Sequence, residues 1–418
     1  MIVDDPALPA ARHLVGPGAF DVLRLPVEAV GGRLDGCRPV DVQFRPGSDV
    51  IVRYTAHVSW QGGPAKRETL VASSTFLGAP QGTVVVTADM PSGPVDVGVW
   101  RWPFDPVLRG IEHVTSAASV GRLLDLDPDN LLSVEVVAYR PTQRAVVKVS
   151  SALDGVVHAY IKVVAPDAVR SIAQRHASLR SSNVPAPLVT ATDEALGLLV
   201  LEPLVGPTLR NLVKGTPGAW PSPDEFDRIS DGFAATNLDA PAVASKLSDA
   251  VLHARMLALV APDRRAVLEV LAERFDDAHV PPSDATIHGD LHDAQLVVVE
   301  GEIRGVLDVD DAGPGASIDD RANLIAQLLF RADAGAPNAV AIAEYAESLR
   351  KASVPRFDPD QLDLHTAACL VGLATGPFQL QSPGWSDTVA SLVDRAAQLA
   401  MRELSASPHR GFRTICAS

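Results

Sequence analysis

The residues able to do chemistry crowd into one stretch, where His288, Gly289, Asp290, Leu291, His292, Asp293, Ala294 and Gln295 precede an apolar run at 296–299. A turn at Glu300, Gly301 and Glu302 leads into a second apolar run that ends in Asp308, Asp310 and Asp311. Two apolar runs joined by a short Gly turn read as a β-hairpin. With the turn centred on Gly301, antiparallel register sets Gln295 beside Asp308, their Cβ atoms roughly 5 Å apart. An amide oxygen and a carboxylate side by side suit Mg²⁺, which takes few protein ligands and fills its shell with water and phosphate oxygens. Asp290, in the loop before the hairpin, reaches the same space. Its carboxylate can accept a hydrogen bond from an alcohol and orient that oxygen toward a phosphoryl group.

Taken singly these residues say little: a loop Asp is more often a turn or cap residue, and His288 or His292 alone more often a structural histidine. Conjunction is what counts. A separate β-rich stretch sets Lys162 inside the apolar run 158–164, and burying an ammonium there is costly unless an anion meets it. Either a phosphate faces this Lys or its stem snorkels past the strand end.

The elements that must position these groups divide the chain in two. Hairpins are expected at 40–54 and 134–149, each with an Arg-Pro turn, Arg45-Pro46 and Arg140-Pro141, 95 residues apart. The strand after the second copy carries Lys162, while the comparable stretch 69–73 has no Lys. Residues 91–106, rich in Pro, Gly and Trp, read as a linker. Residues 106–204 read as strands with one helix at 167–179. Beyond a Pro/Gly loop at 214–224, apolar residues recur at helical spacing in 226–235, 247–260, 266–275, 321–331, 340–349, 360–373 and 387–404. A β-rich front and a helical back predict an α+β chain of two lobes with a cleft between them.

Composition narrows the partners. The chain has 418 residues, long enough for two or three lobes, and 36 Lys+Arg against 51 Asp+Glu give a net charge of −15. That acid excess argues against a nucleic-acid or anionic-membrane partner and suits a cationic small acceptor. Three cysteines, Cys37, Cys369 and Cys416, supply neither a disulfide framework nor a zinc site, which fits a reducing compartment. The acidic start of the chain is unlike a signal peptide and no apolar run spans a membrane, so a cytoplasmic protein is expected. Nothing in the sequence sets an oligomeric state.

The stretches 288–295, 305–313 and 318–324 together resemble the aminoglycoside phosphotransferase and choline kinase family, which has a bilobal protein-kinase-like fold. Gln in place of the more usual Asn at 295 is similar to the maltokinase and glucosamine kinase branch. The resemblance implies ATP and Mg²⁺, with Asp290 as catalytic base and Gln295 and Asp308 as magnesium ligands. It implies that Lys162 contacts the nucleotide's phosphates, that Glu202 and Leu204 offer backbone groups to adenine, and that Asp320 steadies the catalytic loop. The corresponding domains are an N-terminal extension at 1–105 with a degenerate small-lobe-like hairpin, a nucleotide-binding lobe at 106–204 and a helical lobe at 205–418. The family pairs the strand Lys with a helix Glu, whereas this chain has no Glu between Val163 and Asp193, and Gln174 is nearest in position. The expected phosphate turn, 139–144, also lacks glycine, which leaves Arg140 and Arg144 to meet phosphate by charge.

The expected function is transfer of the γ-phosphoryl group of ATP to a hydroxyl of a small molecule, such as an amino sugar, an aminoglycoside-like antibiotic or another metabolite. The missing Glu and glycines motivate the alternative, a nucleotide-binding pseudokinase or a peptide-binding partner in a biosynthetic complex. A peptide Ser/Thr kinase is a third reading. Metal hydrolysis through His288, Asp290 and His292 ranks last, since no second His cluster completes a zinc site.

Overall fold

Val50, Val52, Tyr54, Ala56 and Val58 alternate along one strand, and all five are buried. Every second residue of a strand faces the same way, so this alternation gives the first sheet a dry side. In the computed structural model, which describes residues 5–75, 82–90, 93–127, 131–215 and 220–401, helices α1 (Pro9–Val15) and α2 (Ala19–Ala29) pack on that sheet. Its strands are β1 (Gly32–Arg45), β2 (Asp49–Trp60), β3 (Lys66–Ser73), β4 (Thr83–Met90) and β5 (Gly93–Arg101), antiparallel in the order β1-β2-β3-β5-β4.

The linker expected at 91–106 is therefore corrected, because β5 occupies most of it; residues 91 and 92 lie outside the described residues. Val95, Val97 and Val99 keep a period of two inside this Pro- and Gly-rich stretch, and that alternation outweighs its turn-like composition.

After α3 (Ala117–Leu123) comes a second antiparallel sheet of β6 (Leu132–Arg140), β7 (Arg144–Ser151), β8 (Val157–Val163), β9 (Val189–Asp193) and β10 (Leu198–Leu201). Its order is β6-β7-β8-β10-β9, the same sequence of first, second, third, fifth and fourth strand as in the first sheet. The Arg-Pro echo thus belongs to two sheets of one topology. In the second, Val146 pairs with Lys162; 95 residues earlier, Ile51 pairs with Ser73. A buried serine stands where the second copy has its lysine. Helix α4 (Val169–Ser181) links β8 to β9.

The rest is the large lobe. Helices α5 (Leu209–Leu212), α6 (Pro223–Ala234), α7 (Lys246–Val260) and α8 (Arg265–Asp276) come first, followed by the short strands β11 (Ala285–Ile287), β12 (Leu296–Val299), β13 (Glu302–Val306) and β14 (Gly313–Gly315). Helices α9 (Ser317–Asp333), α10 (Ala339–Ser353), α11 (Pro359–Gln379) and α12 (Trp385–Ala400) close the fold. This is the bilobal, protein-kinase-like α+β arrangement that the sequence implies, with the first sheet added in front of it.

The first sheet shares one apolar core with the helical lobe, and β1 packs on α11. The second sheet has its own core around Val147, Ile161 and Val163. The sheets touch where Tyr139 meets Ile51, Val71 and Trp100. Among the described residues no helix is long and apolar enough to cross a membrane. Cys37 and Cys369 are free thiols, whereas Cys416, the first four residues and 402–418 lie outside the described residues.

Candidate active site

The hairpin that carries the site turns in two residues. Glu300 and Gly301 both have positive φ, 52° and 81°, and Val299 pairs with Glu302. Two left-handed residues match the twist of the flanking strands. A register shift at Arg304 follows, after which Val297 pairs with Gly305 and Leu296 with Val306. The Leu307 amide donates to the Gln295 carbonyl at 2.7 Å. Gln295 therefore faces Leu307, not Asp308 as the register of a turn centred on Gly301 predicts. Asp308 lies one residue further, leaving the strand in the left-handed region with φ 57° and ψ 46°, which is uncommon for any residue but glycine.

Lys162 is 4% exposed and reaches across the cleft. Its Nζ lies 2.7 Å from Asp308 Oδ1 and 2.5 Å from Asp310 Oδ2. Burial opposes the ammonium charge, but Asp310 and Asp308 outweigh it and hold the Lys162 pKa above its ordinary value. Burial likewise opposes ionisation of Asp310; Lys162 and the nearby His176 outweigh it and keep the carboxyl well below the usual range. Asp308 is also lowered, with Lys162 and Arg144 overcoming burial and the repulsion of Asp310. Gln174 is exposed on α4 and is no partner for Lys162. The buried α4 residue lining the cleft is His176, whose Nε2 lies 3.6 Å from Asp310 Oδ1.

Asp290 has 60% of its side chain exposed. Asn323 Nδ2 donates to Asp290 Oδ1 at 3.1 Å and to the Leu291 carbonyl, also at 3.1 Å, and His292 Nε2 stands 3.9 Å from Oδ2. Burial lowers the His292 pKa against the pull of Asp290 and Asp293. Asn323 was not singled out from the sequence. The signal was its position three residues after Asp320, which puts both on one face of α9.

Asp320, buried behind the loop, accepts from the His288 amide at 2.7 Å and the Gly289 amide at 2.9 Å. Gly289 has φ 86°, and a Cβ there would stand 3.0 Å from Val243 Cγ1, so the loop needs glycine. Asp293, fully buried, is held by Arg210 and Arg331. His288 Nε2 donates to the Leu307 carbonyl at 2.9 Å while Nδ1 accepts from the Asp290 amide at 3.3 Å. Both ring nitrogens are thus used, and the His288 contacts tie the Asp290 loop to the strand end at Asp308. Metal hydrolysis through His288 loses its basis.

Between the lobes lies a cavity of about 350 Å³, floored by Val297 and Leu307 and roofed by Val146 and Tyr160. These four give a flat apolar slot, of which the aromatic Tyr160 was not anticipated. Glu202 and Leu204 line its edge. The Glu202 amide donates to the Leu188 carbonyl at 2.9 Å. At the charged end Arg144 Nη2 lies 2.9 Å from Asp308 Oδ2, whereas Arg140 is exposed. The turn before Arg144 is held from outside: Asp105 Oδ2 accepts from Tyr139 Oη at 2.8 Å and from the Thr142 amide at 3.0 Å, and Trp100 Nε1 donates to Tyr139 Oη at 3.1 Å.

Among the described residues no group of three or more His, Cys, Asp or Glu is placed to hold a metal ion. The two residues for which the resemblance implies magnesium are the Asp308 carboxylate and the Gln295 amide, whose Oε1 accepts from the His292 amide at 3.3 Å. A carboxylate and an amide oxygen are hard donors of the kind that fit Mg²⁺, which draws its other ligands from phosphate and water.

Residues 158–365 match a family model described as the phosphotransferase enzyme family. None of the curated proteins matches the sequence. Among solved structures, a thermostable mutant of aminoglycoside phosphotransferase APH(4)-Ia in a ternary complex with AMP-PNP and hygromycin B is 16% identical. That match covers 68% of this chain and 98% of the other, with a TM-score of 0.45. The gentamicin complex of APH(2")-IIa is 14% identical over 68% of this chain and 98% of its own, with a TM-score of 0.44. A choline/ethanolamine kinase family protein from Mesorhizobium loti is 12% identical over 72% and 94%, with a TM-score of 0.46. Likenesses this distant carry no argument about substrate. Residues 158–365 thus carry the match to the phosphotransferase enzyme family, and the chain is a phosphotransferase.

Proposed function

We propose that the phosphoryl donor is ATP, used with Mg²⁺, and that the γ-phosphoryl group passes to a hydroxyl of an amino sugar, an aminoglycoside-like antibiotic or another small metabolite. The observation that carries this reading is the convergence of Lys162, Asp308 and Arg144 at one end of an apolar slot, beside a loop that presents Asp290 to solvent. The slot suits a purine ring, with the Glu202 carbonyl and Leu204 at its edge. Lys162 and Arg144 meet phosphate oxygens, and Gln295 and Asp308 would hold the metal. When bound, Mg²⁺ neutralises phosphate charge.

Asp290 accepts a hydrogen bond from the acceptor hydroxyl and aims its oxygen at the γ-phosphorus. The new bond joins that oxygen to phosphorus as the bond to the β–γ bridging oxygen breaks. ADP leaves, and the hydroxyl proton passes to Asp290 or solvent. Asn323 fixes the carboxylate, so part of the orientation is set before the acceptor arrives.

A thermal-shift titration with MgATP, followed by a screen for transfer of radiolabelled γ-phosphate to amino sugars, aminoglycosides and Ser/Thr peptides, tests the reading. Stabilisation by nucleotide with label on a small alcohol is expected. Binding without transfer to any acceptor favours a pseudokinase instead, and label on peptide alone favours a peptide kinase.

A further inference from the structure

A buried ammonium needs an anion that stays with it, and Asp308 is a poor candidate for that duty. It is shared with Arg144, it is the more exposed of the two acids, and as a magnesium ligand it would turn to the metal when nucleotide binds. Helix α4, from which the family resemblance implies a Glu, contributes no acid anywhere between Val169 and Ser181. Asp310 is placed differently. It lies in the 3-10 turn Val309–Asp311, is 7% exposed, and brings Oδ2 to 2.5 Å from Lys162 Nζ.

Two neighbouring residues of α4 face this aspartate, and Arg175 bonds to it. Arg175 Nη1 donates to the Asp310 carbonyl at 2.5 Å. His176 Nδ1 donates to the Pro187 carbonyl at 2.8 Å, which turns Nε2 toward Asp310 Oδ1 at 3.6 Å. Among the described residues neither of those two atoms has a hydrogen-bond partner. The helix thus still governs Lys162, but through an aspartate borrowed from the opposite lobe.

We propose that Asp310 is the positioning carboxylate of Lys162, standing in for the absent helix Glu, with α4 holding its backbone through Arg175. The inference rests on the nucleotide reading of the cleft. It answers the strongest sequence argument for an inactive protein, because the charge partner of the lysine has been relocated. It also means that Lys162 is correctly placed only while the lobes are together, since lysine and anchor lie in different lobes.

The test measures ADP affinity by calorimetry in the parent, in Asp310→Asn and in the double variant Asp310→Asn with His176→Glu, each with Mg²⁺ and with EDTA. Asp310→Asn should weaken ADP about tenfold or more under both conditions, as loss of a buried charge-assisted contact implies. The second substitution returns a carboxylate to α4 and should recover most of that loss. Unchanged affinity in Asp310→Asn overturns the proposal, and so does a loss confined to Mg²⁺ buffer, which marks a metal ligand. A folded double variant that stays weak overturns it too, and this arm decides the matter even where Asp310→Asn alone does not fold. A parent that binds no adenine nucleotide defeats the nucleotide reading itself, before any variant is compared.

Discussion

Asp290 combines an open face with a fixed one: solvent reaches most of its side chain while Asn323 holds it from behind. Asp290→Ala should lower transfer by about 10² to 10⁴, the usual range for a positioned proton acceptor, and leave nucleotide affinity near the parent value. Asn323→Ala leaves the carboxylate but frees its rotation, so kcat should fall by about tenfold with affinity for nucleotide unchanged. Steady-state kinetics beside equilibrium binding read both, and parent-like turnover in Asp290→Ala would sink the assignment. The two acids facing Lys162 predict a pH response of definite sign. Their carboxyls sit below ordinary values in the folded chain, so their stabilisation is complete above about pH 4, where they ionise in the unfolded chain. It drains as pH falls through the lower folded values. Melting temperatures measured from pH 5 to pH 3 should drop in the parent, and Asp310→Asn should show a shallower drop.

At the scale of elements, what the sequence revealed followed pattern strength. The helices of the large lobe show apolar spacing over three or more turns, and α6 to α12 lie where that spacing puts them. Strand β5 was hidden because Pro, Gly and Trp around it imitate a linker. The register of the β12–β13 hairpin was hidden for another reason: whether the turn takes two residues or three, and whether Arg304 is passed over, depends on backbone geometry that residue types do not fix. The turn at 139–144 belongs to this scale as well. Its sequence lacks the glycines that would let it close over phosphate, and the structure braces it from the first sheet and the segment after it. Tyr139→Phe removes the hydroxyl that joins Asp105 to Trp100. Amide exchange at Thr142 should quicken, and KM for ATP should rise by roughly threefold to tenfold, consistent with the loss of one or two buried hydrogen bonds. Exchange as slow as in the parent would mean the brace is not needed.

At the scale of the molecule, the first sheet and the helical lobe share one core, which includes Leu14, Leu23 and Tyr54 as well as Leu370 and Phe378. A chain cut to 106–418 would expose the side of that core against which β1 packs on α11. It should lose its sharp thermal transition or precipitate, because apolar area is returned to water over a broad face. A circular-dichroism melt of the cut chain checks this, and a cooperative transition at the parent temperature would show the first sheet to be an independent appendage.

Residue types and spacing alone determined the chemistry: a carboxylate loop, a hairpin bearing an amide and an aspartate, and a lysine in an apolar strand. Those motifs are local, and local spacing survives in a linear text. The same text carried the 95-residue echo of two Arg-Pro hairpins, but a repeated sheet topology depends on which strands pair across long separations. Only the tertiary structure decided that Lys162 would find Asp310 in the other lobe, 148 positions away, and not a residue of the neighbouring helix. Only it decided that Asn323 would hold Asp290 and that the first sheet would brace the turn at 139–144. Each of these is a contact between distant segments, set by how the lobes pack and not by the order of residues along the chain.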